Sequence, residues 1–278
     1  MNNKILLFTV AVISILSSCK DKPLQEYRKV EFTTHASKDT IYLFDTHDKI
    51  GSALSLSFTY PISQDPKDSV EQLQHAFVSL FLGEGYAYQA PDLAIDQYVK
   101  NFHSQKANLE KEYTQLCEYA KEDDLEERKD LSYFMSIKDS VLYNEHGILS
   151  LLVTTSSYTG GAHGTTTKKV RTLTTKGTIL TEEDIFAENY TDELKNILID
   201  KLLVQNKAKD INELYELGFI FTEGIVPNGN FYVSKEGITY VYGAYEIACY
   251  AIGISEVFLP FDDIRMLLRK KSPISFLL

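Results

Sequence analysis

Three runs of alternating residues follow one another in the middle of the chain. LSYFMSIKDSVLY (131–143), ILSLLVTTSSY (148–158) and TTTKKVRTLTT (165–175) are separated by NEHG and by GGAHG. Side chains that point to opposite faces at successive positions make a half-buried strand, and a short connector containing glycine makes a hairpin. The pattern predicts an antiparallel meander of three strands. It also places GGAHG, with its single imidazole His163, at a hairpin end or a bulge near one. Glycines beside a histidine are equally the material of an oxyanion hole or a metal ligand, so the loop has a structural and a catalytic reading.

The flanking segments extend the pattern. TIYLFDT (40–46) and SALSLSFTY (52–60) read as strands, the second setting Leu54, Leu56, Phe58 and Tyr60 against Ser55, Ser57 and Thr59. The period then changes to that of a helix. Val70, Leu73, Phe77, Leu80 and Phe81 form one face, opened by Asp65 and Pro66 and closed by Gly83. Ile95, Tyr98, Val99, Phe102, Leu109, Tyr113, Leu116 and Ala120 continue at steps of three and four, predicting one helix from about Asp92 to Ala120. His75 and His103 then belong to helix surfaces. Thr181 and Asp184 form a capping signal ahead of a helix over Thr191–Asn206, and Asp210 with Glu213 caps a short helix stopped by Gly218. A hairpin through SKEG, an irregular aromatic loop, a strand EVFL and a closing helix after Pro260 complete the chain. Strands and helices alternate without the βαβ rhythm, so the expected fold class is α+β, mostly antiparallel sheets with packed helices in two consecutive parts.

The amino terminus reads as an export signal. Lys4 precedes an apolar run from Ile5 to Leu16, and Leu16-Ser17-Ser18-Cys19 resembles a bacterial lipobox. Residues 1–18 are expected to be removed, Cys19 to carry lipid, and 19–29 to serve as a tether. The expected localisation is outside the cytoplasm, lipid-anchored to a bacterial membrane on its periplasmic side or at the cell surface. The remaining residues suffice for a core without covalent staples. Cys117 and Cys249 lie in apolar surroundings where buried thiols are commoner than a bridge. The net charge is −11, and loss of Lys4 makes it one unit more negative. No basic footprint for nucleic acid exists, whereas a basic protein would be attracted. The run KEDDLEERKD (121–130) reads as a solvated helix end and connector.

Motifs for local chemistry are missing. No Gly-x-Ser-x-Gly pentad occurs, the six histidines are far apart in sequence, and no glycine run is followed by the Lys-Thr of a phosphate loop. Phe261-Asp262-Asp263 is similar to the Phe-Asp-Asp of polysaccharide deacetylases, but Ile264 stands where a glycine is expected and no downstream histidines follow. Its simpler reading is an acidic opening to the last helix. Neither a metal nor another cofactor is expected, and no catalytic residue is assigned.

Two segments together resemble a known family. YTGGAHGTTTKKVRTLTTKGTILTEEDIF (158–186) and FYVSKEGITYVYGAYEIACYAIGISEVFLPFDDI (231–264) are similar to the paired signatures of the RsiV-like family, whose two parts also accompany PdaC-type peptidoglycan deacetylases. The match runs through Tyr158, Gly160, Gly161, Ala162, His163 and Gly164, then Tyr245, Glu246, Ile247, Ala248, Tyr250, Ala251 and Gly253. Cys249 replaces a common proline. The resemblance implies a PdaC-like part over 30–145 and an RsiV-like part over 146–278. It implies binding rather than turnover: a lysozyme-like protein or a cell-wall glycan, held near Tyr158, Gly161, His163, Tyr242, Tyr245 and Glu246. The rival readings are a glycan-active hydrolase or transferase using His163 and Glu246, and a scaffold subunit of an envelope complex. His163 and Glu246 are expected within hydrogen-bonding reach of each other.

Overall fold

The computed structural model describes residues 29–45, 51–63, 70–119, 133–160 and 163–278. The export signal, Cys19, most of the tether, the Asp65-Pro66 helix start, the acidic run and Gly161 fall outside them.

Five strands form one sheet in chain order: β1 (Glu31–Tyr42), β2 (Gly51–Ile62), β3 (Tyr133–Glu145), β4 (Ile148–Tyr158) and β5 (Thr165–Thr174). All neighbours are antiparallel except β2 and β3, which run parallel because the chain crosses over through helices between them. The three-strand meander is therefore present as β3–β4–β5. Its first turn has His146 at φ 53° and Gly147 at φ 80°, the two positive values that give a tight turn the twist of its strands. That turn falls at the expected boundary between parts at 145/146. A two-residue connection forces its strands to pair, so the sheet continues across this point to Thr174.

Three helices cover one face of the sheet: α1 (Glu71–Leu82), α2 (Pro91–His103) and α3 (Lys106–Tyr119). Leu54, Leu56 and Phe58 of β2 point into this layer and cluster with Leu73, Phe77, Phe81 and Ile95. Phe58 stacks on Phe81 with centroids 4.4 Å apart. Gly83, at φ 99°, ends α1 as expected. The single helix expected over 92–120 is instead two. Ser104 turns its hydroxyl onto the Asn101 carbonyl at 2.7 Å, and the Gln105 amide bonds the Phe102 carbonyl three residues back, tightening and redirecting the chain. Helix α2 is fastened to β1 at both ends, His35 Nδ1 lying 2.9 Å from Asp92 and His103 Nε2 2.7 Å from Asp39.

A second, antiparallel sheet contains β6 (Phe231–Val233), β7 (Gly237–Tyr242) and β8 (Ser255–Pro260). It is preceded by α4 (Glu182–Ile185), α5 (Thr191–Asn206) and α6 (Ile211–Glu216) and followed by the single turn α7 (Phe261–Ile264), shorter than the closing helix expected. Leu194, Leu198 and Leu202 of α5 pack with Ile238, Tyr240, Val257 and Leu259. Thr181 and Asp184 cap the one-turn α4 and not α5, the Thr181 amide donating to Asp184 at 2.8 Å, while Asp210 caps α6 as read, accepting the Asn212 and Glu213 amides at 2.9 and 3.0 Å. The fold class is thus α+β with two sheets.

The sheets are joined by side chains. Ser150 and Thr172, partners across β4 and β5, are both buried. The Ser150 hydroxyl donates to the Val233 carbonyl at 2.6 Å, and the Thr172 hydroxyl accepts the Val233 amide at 2.9 Å. No helix among the described residues is long and apolar enough to cross a membrane.

Candidate functional site

The two segments that carry the family resemblance meet, but not through the expected pair. Strand β4 ends at Tyr158, and the chain turns through Gly160 at φ 89° to re-enter the sheet at Thr165. Gly164 is required by close packing, because a Cβ there would lie 2.9 Å from the Ser157 carbonyl oxygen. The exposed imidazole of His163 lies flat on Tyr250, with centroids 3.9 Å apart and planes at 15°. The Tyr250 hydroxyl donates to the Gly164 carbonyl at 2.8 Å. Tyr250 therefore joins the loops.

Glu246 is engaged elsewhere. Its carboxylate accepts the Gly243 amide at 2.6 Å and the Asn228 side-chain amide at 2.7 Å, bracing its own loop. Both oxygens are used, and His163 is not among the hydrogen-bond partners found for it among the described residues. The expected His163–Glu246 pair is not formed. The reason is local: an Asx-like carboxylate three residues after an available amide closes a turn more readily than it reaches across a domain.

Tyr242 also differs from expectation. It is fully buried in β7 and donates to the Val226 carbonyl at 2.9 Å, so it supports the loop from beneath and presents nothing to a ligand. Burial, then the Glu246 and Glu182 carboxylates, raises its phenol well above the ordinary range. Beside it, the buried Tyr240 is raised well above its ordinary range, by burial first and by the Glu182 carboxylate next. Glu182 accepts the Gly229 amide at 2.9 Å and the Tyr190 hydroxyl at 3.1 Å, fixing the 228–230 turn. Asn230 then ties that turn to β5, accepting the Val170 amide at 2.9 Å and donating to the Lys168 and Val241 carbonyls.

Of the remaining candidates, Tyr158 is half-buried at the end of β4, its ring stacked on Phe134 at 6.5 Å. Tyr245 is 57% exposed and holds φ at 65°, a left-handed conformation uncommon outside glycine that turns its ring outward to 5.7 Å from Tyr250. Around these rings lies an apolar surface that sequence reasoning missed. Tyr215, Leu217, Ile220 and Phe221 are exposed, as are Tyr250 and Ile252. The two strips touch: the Cys249 amide bonds the Gly218 carbonyl at 2.8 Å, and a Cβ on Gly218 would meet Cys249 Sγ at 3.0 Å and Ile252 at 3.4 Å. Cys249 is a free thiol there. Glu216, Glu223 and Glu246 are exposed beside the same rings, and from Asp210 to Glu256 the only basic residue is Lys235.

Chemistry-bearing clusters are few. No three His, Cys, Asp or Glu side chains converge as a metal site among the described residues. Asp262 pairs with Arg265 at 2.9 Å and Asp263 with Lys201 at 2.5 Å, so the Phe-Asp-Asp aspartates serve as ion-paired residues of α7. The arrangement can hold a ligand by aromatic contact and acidic charge.

Comparison with known proteins gives two family matches. Residues 183–262 match the model described as a protein of unknown function (DUF3298), and residues 51–166 match that described as deacetylase PdaC. A DUF3298-family protein from Bacteroides fragilis superposes with a TM-score of 0.76 at 27% identity, covering 88% of this chain and 95% of that one. A DUF3298-family protein from Pseudomonas aeruginosa superposes at 0.57 and 14% identity, covering 86% and 94%, which is a likeness of fold. No curated protein matches the chain. The pairing of the two family models indicates an extracellular protein associated with the cell envelope.

Proposed function

We propose that the chain is an exported, lipid-anchored envelope protein that binds a basic, lysozyme-like protein without turning it over. The observation that carries this reading is the exposed aromatic surface around Tyr245 and Tyr250, bordered by Glu216, Glu223 and Glu246. Large aromatic side chains dominate the binding energy of protein interfaces, and a contiguous apolar patch on a folded surface marks an interaction site. Acidic charge beside it steers a cationic partner and rejects an anionic one. Tyr250 is the anchor, being held in place by Gly164 and covered on one face by His163. The lipid on Cys19 holds this surface near the membrane.

Titration of residues 29–278 with a purified lysozyme tests the reading directly. Saturable binding is expected, weakening as salt rises, with Tyr250→Ala lowering affinity at least about tenfold and Glu223→Gln reducing mainly the association rate. Absence of binding, or binding indifferent to Tyr250→Ala, overturns it. The anchor is tested separately: Cys19→Ser releases the protein from the membrane fraction if Cys19 carries the lipid.

A further inference from the structure

The five-stranded sheet ends at β1, whose far edge is open. We propose that this edge pairs, antiparallel, with β1 of a second copy of the chain about a two-fold axis at Ser37. Strand β1 pairs with β2 over all 12 of its residues without a shift of register. In an antiparallel pair, successive residues turn their backbone groups alternately toward the neighbour and away from it. Three observations fix the phase. The Thr59 amide donates to Asp139 on β3, so it does not bond Thr34, its partner on β1. Pro61, opposite Phe32, has no amide to give. The Thr40 amide donates to the adjacent Asp39 carboxylate at 2.7 Å.

The backbone groups of Phe32, Thr34, Ala36 and Lys38 therefore point away from β2. None of them has a hydrogen-bond partner among the described residues. A regular edge of this length, with neither proline nor bulge, is a template for another strand. The charges select a second copy as that strand. Centred on Ser37, the pairing sets His35 opposite Asp39 of the other copy, twice by symmetry, and Lys38 opposite Ala36. Centring on Lys38 sets lysine against lysine, and centring on His35 sets Glu31 against Asp39. Centring on Ala36 leaves Asp39 opposite Thr33, with no charge matched.

Helix α2 repeats the match in the layer above. Its start is held to His35 through Asp92 and its end to Asp39 through His103, so it runs in the direction of β1. The two copies of α2 are then antiparallel across the axis. Asp92, Asp96, Lys100 and His103 share one exposed stripe of the helix, acidic at its start and basic at its end. Each acidic start thus lies toward the basic end of the other copy, the complementarity that an isologous contact requires. The edge is separate from the surface proposed for a protein ligand.

Sedimentation velocity of residues 29–278 over about a hundredfold range of concentration is expected to show a dimer at its upper end. Ala36→Pro removes an outward amide and leaves the bonds of His35 and Ser37 to β2 in place, so it raises the dissociation constant at least about tenfold. Circular dichroism checks that this variant is folded. Asp96→Lys, at an exposed helix position, is a second variant that weakens the dimer. Combining it with Lys100→Asp restores association, because the charges are then exchanged at both ends of the antiparallel pair. Tyr250→Ala leaves the dimer unchanged, which separates this result from the fate of the protein-binding surface. A monomer at every concentration overturns the proposal. So does a dimer indifferent to both Ala36→Pro and Asp96→Lys, since its contact then lies on another surface.

Discussion

The imidazole of His163 rests on the ring of Tyr250 at 3.9 Å, and the hydroxyl of that same tyrosine holds the carbonyl of the next residue, Gly164. One side chain thus fixes a loop by its face and by its edge. The consequence is separable by substitution: Tyr250→Phe keeps the stack and removes one hydrogen bond worth about 1 kcal/mol, whereas Tyr250→Ala removes both. Amide exchange at Gly164 and Thr165 is expected to rise modestly in the first variant and strongly in the second. Equal exchange in the two would show that the stack contributes nothing.

Asp139 makes stability depend on pH in an unusual direction. Burial in the central strand pushes its carboxyl from 3.8 up to about 7, against the lowering effect of the Thr59 amide that donates to it at 2.8 Å. The folded state therefore keeps a proton that the unfolded state releases between about pH 4 and 7. Stability from this residue is full below pH 4, falls as pH rises toward 7 by at most about 1.4 kcal/mol per unit, and levels off above it. Urea unfolding at pH 5 and pH 8 should show this difference in the native chain. Asp139→Asn, which keeps an acceptor for Thr59, is expected to flatten it and to stabilise the protein at pH 8.

Removal of a hydroxyl between the sheets should cost more than removal of one on the surface. Thr172→Val strands the buried Val233 amide and is expected to destabilise by about 1–3 kcal/mol. Thr34→Val removes an exposed hydroxyl contact with Thr59 and should change stability by less than about 0.5 kcal/mol. Chemical denaturation of the two variants side by side makes the comparison.

The two histidine–aspartate contacts that fasten α2 to β1 are exposed, so each is worth little alone. A double-mutant cycle on His103 and Asp39 is expected to give a coupling of about 0.2–1 kcal/mol. The hydrogen bond from His103 holds the Asp39 carboxyl below its ordinary range, and that from His35 does the same for Asp92. Because those values are lowered, the contribution is present above about pH 4 and is lost as pH falls through the folded values. Acid titration of the His103→Ala variant should show less loss below pH 4 than the native chain.

Much of this architecture is legible in the residues because it is local. The alternation of Leu54, Leu56, Phe58 and Tyr60 gives the buried face of β2, and His146-Gly147 and Asp210 mark a turn and a cap by chemistry that needs no neighbours. The break at Ser104 is hidden because Phe102, Leu109 and Tyr113 keep helical spacing across it while a single hydroxyl redirects the backbone. Parallel pairing of β2 with β3 depends on where the intervening segment, with α1, α2 and α3 among its described residues, sends the chain, which no periodicity records. The site was read in part. Tyr245 and His163 are exposed, but Tyr242 lies in a strand buried on both faces, where alternation cannot tell a covered tyrosine from an open one. Tyr250 escaped selection because its importance lies in a contact with a loop 86 positions away.

The clasp of Ser150 and Thr172 on Val233 bears on the order in which the molecule can assemble. Strand β6 has three residues and lies at the margin of its sheet, and the backbone groups of Val233 find these hydroxyl partners on β4 and β5. A nascent C-terminal half has no such partners until the larger sheet has closed. Until then it carries an open edge of the kind that recruits strands from other chains. The earlier sheet thus acts as a template for the later one, and an unfolded chain is shielded from self-association only after the two have met.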